Sequence, residues 1–581
     1  MAKSSDVPMS TNGIESQYAT AHIGEKKHFE GVGTTLKNAP AYTPRRLRVI
    51  TIGAGFSGLT LAHKFQHQHP ELQGIVDHTI YESRNELGGT WLVNTYPGVV
   101  CDVPSHIYAF PFDPNPDWTH FFSTGQEIWT YMKRTAQKWD LERHVKYGHR
   151  VVGAYWQEDR GSWKVMVEHG GMVVEEFADI LISAQGFLNS WTWPSIPGLQ
   201  EFKGKKVHSA NWDHGHDYSN KRIAIIGNGS SGIQILPQIA QLEGTHVTSF
   251  QRGPTWVVST MSPASLLGKD DSANNPEYTD EEKRTFRENP AYHHKYRKQI
   301  IHRINDSFKM FVKDSKLNSD VLHLAQTQMA EKLNHNTELC EKLIPKFEVG
   351  CRRITPGAGY LESFLRPNVC LTQSPIAKVT DSGIETADGK FHEVDIIVCA
   401  TGFDVSYRPR YPIVGRNKAN LGEMWAKEPR AYLSLTCENM PNYFMFTGPN
   451  ALIGHGSLME SLGWSAEYMI KWIKKIAFED IKAIAPKGRA IEEFNSYSDQ
   501  IHKTLTWTGS CRSWYKNNTV DGRVTATFAG SALLFKRLIE DLRPEDFDIS
   551  FRSCNRFQFL GNGFVEYELQ EGNDLAWYVE R

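Results

Sequence analysis

The sequence predicts an α/β fold in which two nucleotide-binding units interleave along the chain, with a helical insertion in the second. A glycine-rich turn stands twice between an apolar strand and a helix, in RLRVITIGAGFSGLTLAHKF and in KRIAIIGNGSSGIQILPQIA. Two similar segments, DILISAQGF (179–187) and DIIVCATGF (395–403), each predict an apolar strand that runs into a glycine turn. We interpret these as the returning strands that close the two units.

Composition sets the broad class of the protein. The 581 residues are enough for three or four domain-sized parts, and 40% hydrophobic with 22% charged residues is normal for a soluble globular protein. A formal net charge of −2 argues against a broad nucleic-acid or anionic-membrane surface. No apolar run approaches the roughly 18 residues of a membrane span, and the N-terminus lacks a secretory signal pattern. We expect a cytoplasmic protein without nucleic-acid or membrane partners; the oligomeric state is not indicated.

Eight cysteines are scattered along the chain without a C-x-x-C pair. This spacing suits neither a disulfide framework nor a zinc site, so the sequence predicts reduced thiols and no metal centre. It also argues against redox enzymes whose chemistry needs two neighbouring sulfurs. The cysteines are Cys101, Cys340, Cys351, Cys370, Cys399, Cys437, Cys511 and Cys554.

The predicted organisation follows from these motifs and from local composition. The segment 278–345 is charged and helical in pattern, and we expect its His293–His294 pair to lie on a solvated helix face rather than to bind a metal. Near the C-terminus, FQFLGNGFVEYELQ has a hairpin-like pattern. The predicted parts are a polar arm (1–45), the first unit (46–200), a linker (201–214), the second unit (215–400) with the insertion at about 278–345, and the return of the first unit with the C-terminal segment (401–581).

The first glycine turn predicts a Rossmann-like dinucleotide site. Gly53 permits the tight turn, Gly55 lets the pyrophosphate approach the backbone, and Gly58 allows close packing of helix on strand. The phosphates are expected at the positive end of the following helix. Glu82, at the end of the next strand, can accept both hydroxyls of an unphosphorylated ribose. This site therefore favours FAD or NAD.

The second turn repeats the pattern with Gly227, Gly229 and Gly232. Here the strand-end positions hold Gln251 and Arg252, and a guanidinium can bind a ribose 2′-phosphate in bidentate fashion. This site favours NADPH. A flavin and NADPH without a redox dithiol leave dioxygen as the obvious electron acceptor.

Two longer patterns of fixed residues stand out. In FKGKKVHSANWD they are Phe202, Gly204, His208, Trp212 and Asp213, and in GGTWLVNTYPGVVCD they are Gly88, Gly89, Trp91, Tyr96, Pro97, Gly98 and Asp102. Both patterns resemble those of type I Baeyer–Villiger monooxygenases, which are class B flavoprotein monooxygenases. The resemblance spans roughly residues 46–515.

The resemblance implies an enzyme that uses FAD, NADPH and O₂. It would insert one oxygen atom beside a ketone carbonyl through a C4a-peroxyflavin and yield an ester or lactone. GCRRITPGAGYLESF is similar to fungal enzymes of secondary metabolism that oxidise polyketide or terpenoid ketones. The alternatives are N- or S-oxygenation, against which Trp212 counts, and an uncoupled NADPH oxidase or redox sensor.

The resemblance also implies roles for individual residues. Arg352 is expected to contact the 2′-phosphate and Arg353 the flavin face, although an arginine replaces the usual lysine and leaves the order of the two open. A fixed guanidinium suits a peroxide nucleophile because it cannot donate its proton. Asp102 would hold Arg353, or would simply cap the Pro-Gly turn. The FAD site would further include Gly89, Thr90, Trp91 and Tyr108, and WTGSCRSWYKN would place Trp507 and Trp514 over the substrate or in the core. His208 and Trp212 would couple nucleotide position to the flavin site, or the linker would only pack the seam between the units.

Overall fold

The computed structural model describes residues 36–268 and 275–579. The described chain forms two compact units, a large one of residues 45–477 with 481–550, and a small one of residues 36–44, 478–480 and 551–579. Most of the predicted N-terminal arm, residues 1–35, lies outside the described residues. In the described part, no helix is both long and apolar enough to cross a bilayer.

The large unit contains both parallel-sheet strands and helices. The strands are β1 (Leu47–Ile52), β2 (Val76–Tyr81), β3 (Val145–Lys146), β4 (Arg150–Gln157), β5 (Ser162–His169), β6 (Met172–Ala178), β7 (Ile180–Ser183), β8 (Lys205–His208), β9 (Arg222–Ile226), β10 (His246–Phe250), β11 (Val369–Thr372), β12 (Ile376–Val379), β13 (Gly383–Thr386), β14 (Phe391–Glu393), β15 (Ile396–Cys399), β16 (Ile413–Val414), β17 (Tyr443–Met445), β18 (Ile481–Pro486) and β19 (Phe547–Phe551). The α-helices are α1 (Phe56–His63), α2 (Thr90–Val93), α3 (Gly125–Lys138), α4 (Ser230–Ala240), α5 (Pro263–Leu267), α6 (Asp280–Glu288), α7 (Pro290–Asp306), α8 (Lys316–Lys332), α9 (Thr337–Leu343), α10 (Tyr360–Ser363), α11 (Leu421–Met424), α12 (Leu458–Phe478), α13 (Gly488–Lys503) and α14 (Ala532–Leu538).

The first nucleotide-binding unit is built on a five-stranded parallel sheet of order β17-β7-β1-β2-β3. Its central strand β1 is almost wholly buried, as a continuous apolar run in a parallel sheet must be. β7 pairs with β1 in parallel, so DILISAQGF is a returning strand, as predicted. β17 then adds a strand from far along the chain to the other edge of β7.

The second unit is built on a five-stranded parallel sheet of order β11-β10-β9-β15-β8. β15 pairs with β9, so DIIVCATGF is also a returning strand. The segment that we predicted as a linker supplies β8, the edge strand beside β15. A strand of only four residues is too short to show a periodic pattern in sequence. The exact domain boundaries stay a prediction.

The helical insertion is confirmed by α6 to α9. α6 begins with a capping box in which Thr279 and Glu282 satisfy each other's backbone amides, and Pro290 opens α7. The expectation of a solvated histidine pair is wrong for His293, which is buried and lies 2.8 Å from His106, Nε2 to Nδ1. His294 is exposed. No group of His, Cys, Asp or Glu among the described residues could hold a metal ion.

Smaller sheets complete the architecture. β16, β4, β5 and β6 form a four-stranded sheet, β12 to β14 a three-stranded one, and β18 pairs with β19. The predicted hairpin at FQFLGNGFVEYELQ is wrong, since this stretch forms two short 3-10 turns, Gln558–Leu560 and Glu566–Leu569. Gly561 and Gly563 have positive φ, and besides local turn bonds the N–H of Asn562 donates to the carbonyl of Ala39 and the carbonyl of Phe564 accepts from the N–H of Ala41. The segment therefore packs with the start of the described chain inside the small unit.

Candidate functional site

Each glycine turn contains glycines at which a Cβ would clash with the neighbouring backbone and one glycine at which it would not. In the first turn, a Cβ on Gly58 would lie 2.1 Å from the carbonyl oxygen of Gly53, so only glycine allows α1 to sit this close to β1. A Cβ on Gly55 would meet only the Cα of Gly89, at 3.7 Å. Gly55 is also the N-cap of α1 and makes no side-chain cap, so the first helical N–H groups stay available. The turn thus offers bare backbone and a helix N-terminus to a phosphate group.

The second turn has the same construction. A Cβ on Gly232 would lie 2.2 Å from the carbonyl oxygen of Gly227, whereas a Cβ on Gly229 would meet nothing within 4 Å. Gly229 is the N-cap of α4 and has an ordinary φ of −75°. Space, and not backbone conformation, is therefore what glycine provides at this position. The two turns fit the pyrophosphates of two dinucleotides.

The acid after β2 lies beside the first turn. Glu82 is buried, and its Oε2 accepts a hydrogen bond from the backbone N–H of Ala54 at 2.8 Å. Its Oε1 accepts from the N–H of Arg84 at 2.9 Å. Oγ of Ser83 also donates to Oε1, at 3.3 Å, so Oε2 is the oxygen that keeps a second lone pair for a ribose hydroxyl. Glu82 is thus oriented by backbone donors next to the glycine turn, where the sequence predicted a ribose acceptor.

The segment GGTW converges on the same turn. Gly89 has φ 53° and ψ −121°, and a Cβ there would lie 3.3 Å from the Cα of Gly55. α2 begins at the next residue, Thr90. The indole Nε1–H of Trp91 donates to the hydroxyl of Tyr108 at 3.2 Å, and the rings meet edge to face. All the residues predicted for the FAD site therefore come from backbone that adjoins the first turn or from side chains in mutual contact.

The Tyr-Pro-Gly turn that follows docks onto the second unit. The hydroxyl of Tyr96 donates to Oε1 of Gln234 on α4 at 2.9 Å, and the Gln234 amide donates to the carbonyl of Val100, also at 2.9 Å. Gly98 has φ 80°, and a Cβ would lie 2.7 Å from the backbone oxygen of Gln234. This close contact places Asp102, four residues later, near the meeting point of the two sheets.

Asp102 and Arg353 form a bidentate ion pair. Nε of Arg353 donates to Oδ2 of Asp102 at 2.8 Å, and Nη2 donates to Oδ1 at 2.7 Å. Burial opposes the charge of the guanidinium, but the attraction and hydrogen bonds of Asp102 outweigh it and hold the pKa of Arg353 above its usual value. Arg353 is therefore a permanent cation in a fixed orientation, with 26% of its side chain still exposed.

Arg352 does not contact Asp102 but bonds within the second nucleotide-binding unit. Its Nη1 donates to the carbonyl of Pro254 at 3.2 Å, two residues beyond Arg252. Burial and the nearby charge of Arg252 lower the pKa of Arg352. Partial burial and the charge of Arg512 likewise lower the pKa of Arg252. The two neighbouring arginines thus face different partners, and the order of their roles stays a prediction.

A cavity of about 500 Å³ lies beside Arg252. Arg252 and Lys346 line it, and among the described residues neither has a carboxylate partner. Sequence reasoning missed Lys346, because an isolated lysine after α9 has no motif around it. The lining residues include Arg252, Glu341, Lys342, Lys346, Gln373 and Ser510.

The linker residues pack where the two returning strands end. His208 stacks on Trp191 with ring centroids 4.3 Å apart, its Nδ1 accepts from the N–H of Ala210, and its Nε2 lies 3.3 Å from Oγ1 of Thr401. Burial lowers the pKa of His208 to about 4, so the ring is neutral at pH 7. Trp212 stacks on Tyr218 at 4.9 Å.

The other three linker residues have structural contacts. Phe202 is buried in the second unit, and Asp213 forms an ion pair with Lys205 of β8. A Cβ on Gly204 would lie 2.4 Å from the carbonyl oxygen of Asp395, so glycine is required for that approach. The pattern therefore builds the β8 edge and sets His208 beside the end of β15 and against Trp191, which follows β7 in the chain.

The two predicted pocket tryptophans differ. Trp507 is fully buried among Met310, Phe311 and Tyr515, which makes it a core residue. Trp514 is partly exposed and lies nearly parallel to Phe187, with centroids 5.8 Å apart. Only Trp514 is placed to face a ligand.

The prediction that all cysteines are reduced thiols is wrong. Cys351 and Cys511 form a disulfide across a sequence separation of 160 residues. Such a pairing leaves no spacing signal, because tertiary packing alone brings the two segments together. Cys351 directly precedes the two arginines and Cys511 lies in WTGSCRSWYKN. The disulfide therefore joins two segments that were each predicted to belong to the site.

Comparisons with known proteins agree with this geometry. Residues 46–266 match the family model described as flavin-binding monooxygenase-like. The FAD-binding monooxygenase tazF of Aspergillus terreus (strain NIH 2624 / FGSC A1156) is 41% identical, over 96% of this chain and 99% of the relative. A Baeyer-Villiger monooxygenase of Streptomyces coelicolor is 32% identical, over 84% and 90% of the two chains.

Among solved structures, cyclohexanone monooxygenase from Rhodococcus sp. Phi1 bound to NADP⁺ matches with a TM-score of 0.74 and 26% identity. The match covers 88% of this chain and 100% of that one. The chain belongs to the family of flavin-binding monooxygenases.

Proposed function

We propose that the protein is an FAD- and NADPH-dependent monooxygenase that inserts one atom of O₂ beside the carbonyl of a small-molecule ketone, giving an ester or lactone. The observation that carries this proposal is the bidentate Asp102–Arg353 pair between the two dinucleotide sites. When bound, FAD supplies the transfer of electrons from NADPH to O₂. The relatives named above support the same reading.

The residues present fit FAD at the first turn. Gly55 and the uncapped N-terminus of α1 would hold the pyrophosphate, and Glu82 would accept a ribose hydroxyl. Gly89, Thr90, Trp91 and Tyr108 would adjoin the cofactor, because Gly89 lies against Gly55 and Trp91 is bonded to Tyr108.

They also fit NADPH at the second turn. Gly229 and α4 would hold the pyrophosphate, with Arg252 and Arg352 on the 2′-phosphate. Lys346 would add charge from the other side of the 500 Å³ cavity. The cluster of unpaired cations gives the dianionic group a favourable place.

Arg353 would stabilise negative charge during oxygen transfer. A guanidinium cannot be deprotonated at working pH, so it attracts an anionic oxygen without protonating it. This property favours nucleophilic attack on a ketone carbon. N- and S-oxygenation would instead need a protonated, electrophilic oxygen donor. Because Asp102 fixes the guanidinium in advance, little reorganisation is needed during the reaction.

The reaction is tested with isotopically labelled dioxygen. We would incubate FAD-loaded protein with NADPH, ¹⁸O₂ and a panel of cyclic ketones, aryl ketones, sulfides and amines, and determine product masses. One labelled oxygen in an ester or lactone is the expected result. Labelled sulfoxides or N-oxides alone would replace the proposal with electrophilic oxygenation. Labelled hydrogen peroxide as the sole product, unaffected by any organic compound, would favour an uncoupled oxidase.

Arg252 is predicted to determine the preference for NADPH. The variant Arg252→Gln removes a charge-assisted contact with the 2′-phosphate, which is worth about 1.5–3 kcal/mol. We expect KM for NADPH to rise about 10- to 100-fold and KM for NADH to stay unchanged. Steady-state kinetics with both nucleotides measure this. Arg366→Gln, an exposed arginine of the same unit, is the matched control; an equal rise in KM for NADH would contradict the assignment.

We also propose a cytoplasmic location, as composition suggested. Disulfides are rare in that compartment, and those present there usually have a catalytic or redox role. The Cys351–Cys511 bond therefore calls for a function of its own.

A further inference from the structure

We propose that Cys351 and Cys511 are positioning residues, whose disulfide holds the covering segment (507–520) against the double-arginine loop (348–353) and so keeps Arg353 in its catalytic setting. This inference rests on the proposed function. The bond is a covalent link between the loop that carries the cation and the segment whose Trp514 faces Phe187.

Three contacts join the two segments in sequence order. Near the start, Oε2 of Glu348 accepts from the N–H of Ser510 at 3.2 Å. Next comes the disulfide, with its two Cα atoms 6.2 Å apart. At the end, burial raises the pKa of the Tyr515 hydroxyl, and this residue lies near enough to Arg353 for the guanidinium to lower that pKa. The disulfide thus lies between two weaker contacts.

The covering segment is closed on itself. Lys516 has 1% of its surface exposed, and its Nζ donates to the carbonyls of Gly509 at 2.6 Å and Val520 at 2.5 Å. Oγ1 of Thr519 donates to the carbonyl of Lys516 at 2.6 Å. Because these bonds are internal, they preserve the shape of the segment without fixing its position. Its position depends on the contacts with the double-arginine loop, on the core packing of Trp507 and Tyr515, and on bonds such as that from Lys313 Nζ to Thr508 Oγ1 at 2.8 Å. The disulfide is the covalent one among these supports.

Arg353 therefore has two supports of different kinds. Asp102 stabilises the charge of the guanidinium and fixes the orientation of its plane. This ion pair does not involve the covering segment. Tyr515, which belongs to the covering segment, lies near Arg353. Reducing the disulfide would leave the ion pair with Asp102 intact, but it would loosen the position of Tyr515. We therefore expect electron transfer from NADPH to continue while shielding from water and oxygen transfer to ketone become inefficient.

Burial of the disulfide limits its reduction. The side chains of Cys351 and Cys511 are 0% and 2% exposed, so an external thiolate reaches the sulfurs only after the segment moves away. Reduction by dithiothreitol breaks the S–S bond and forms two thiols with two electrons and two protons from the reagent. The reagent is oxidised to its cyclic disulfide.

The first test compares Cys351→Ser/Cys511→Ser with the control Cys370→Ser/Cys554→Ser, in which both cysteines are exposed and free. We would measure NADPH consumption, ketone product and hydrogen peroxide in the same assay. The expected result is NADPH consumption within about twofold of the parent protein and ketone product lowered about tenfold, with peroxide making up the difference. An unchanged ratio of product to peroxide would overturn the proposal.

The second test needs no variant that could misfold and no turnover. Parent holoenzyme is reduced with dithiothreitol, and alkylation with mass spectrometry checks that both thiols are free. Amide hydrogen exchange of the reduced protein is compared with that of the oxidised protein and is measured again after reoxidation. Faster exchange confined to 507–520 and 348–353, reversed by reoxidation, is expected. Unchanged amide exchange would overturn the inference. So would free thiols at Cys351 and Cys511 in parent enzyme that turns all consumed NADPH into ketone product. If exchange responds but the parent makes no ketone product, the proposed function fails and the positioning of the segment stands.

Discussion

Arg353→Ala is expected to lower ester or lactone formation by about 10²–10³-fold, the usual effect of removing one preorganised charge donor. Reduction of FAD by NADPH should continue, since Arg252, Arg352 and the second glycine turn are untouched. The NADPH consumed would appear as hydrogen peroxide. Rapid-mixing absorbance of the flavin gives the reduction rate, and product analysis gives the yield.

Two further variants sharpen this experiment. Arg353→Lys keeps the charge but cannot make the two parallel bonds to Asp102, so we expect product formation between those of the parent and Arg353→Ala. Arg366→Ala controls for loss of an exposed arginine. Because removing Arg353 leaves Asp102 without its partner, thermal unfolding and FAD content are measured for each variant. Normal product formation by folded Arg353→Ala would refute the assigned role.

Gly229→Val is expected to abolish productive NADPH binding in a correctly folded protein. Nothing within 4 Å would contact the Cβ, and φ is −75°, so the side chain is tolerated by the fold. It would occupy the space where backbone N–H groups meet the pyrophosphate. Losing about 3 kcal/mol of charge-assisted hydrogen bonding corresponds to a KM for NADPH raised about 100-fold or more.

Gly232→Val is the matched comparison, because its Cβ would lie 2.2 Å from a backbone oxygen. It should lower the unfolding temperature, whereas Gly229→Val should not. Circular dichroism with heating separates the two, and bound FAD shows that the first unit is intact. If Gly229→Val keeps the parent KM for NADPH, the second turn is not the pyrophosphate site.

The fold was predictable because its strongest signals are local. Gly53 to Gly58 and Gly227 to Gly232 combine a strand, a turn and a helix within one short stretch, and the two returning strands repeat a nine-residue pattern. The contact of Asp102 with Arg353 was expected from the family resemblance, and the ion pair observed supports it. Residue spacing alone could not have paired two side chains 251 positions apart.

What could not be predicted depends on tertiary contacts. His293 is buried because it packs against His106, which lies 187 residues away in sequence. β8 is a strand because β15 lies beside it. Cys351 and Cys511 are joined because the segments carrying them pack together. In each case the local sequence is ambiguous, and a partner far along the chain decides the outcome.

The strand order has a consequence for biosynthesis. The second sheet uses strands between Lys205 and Cys399, so it can close as soon as this continuous stretch has left the ribosome. The first sheet begins with β1 but needs β17, which ends at Met445. Until then β7 has an unpaired edge, a state open to aggregation. We expect the later-encoded unit to mature first during translation, and nascent chains that stop before residue 443 to depend most on chaperones.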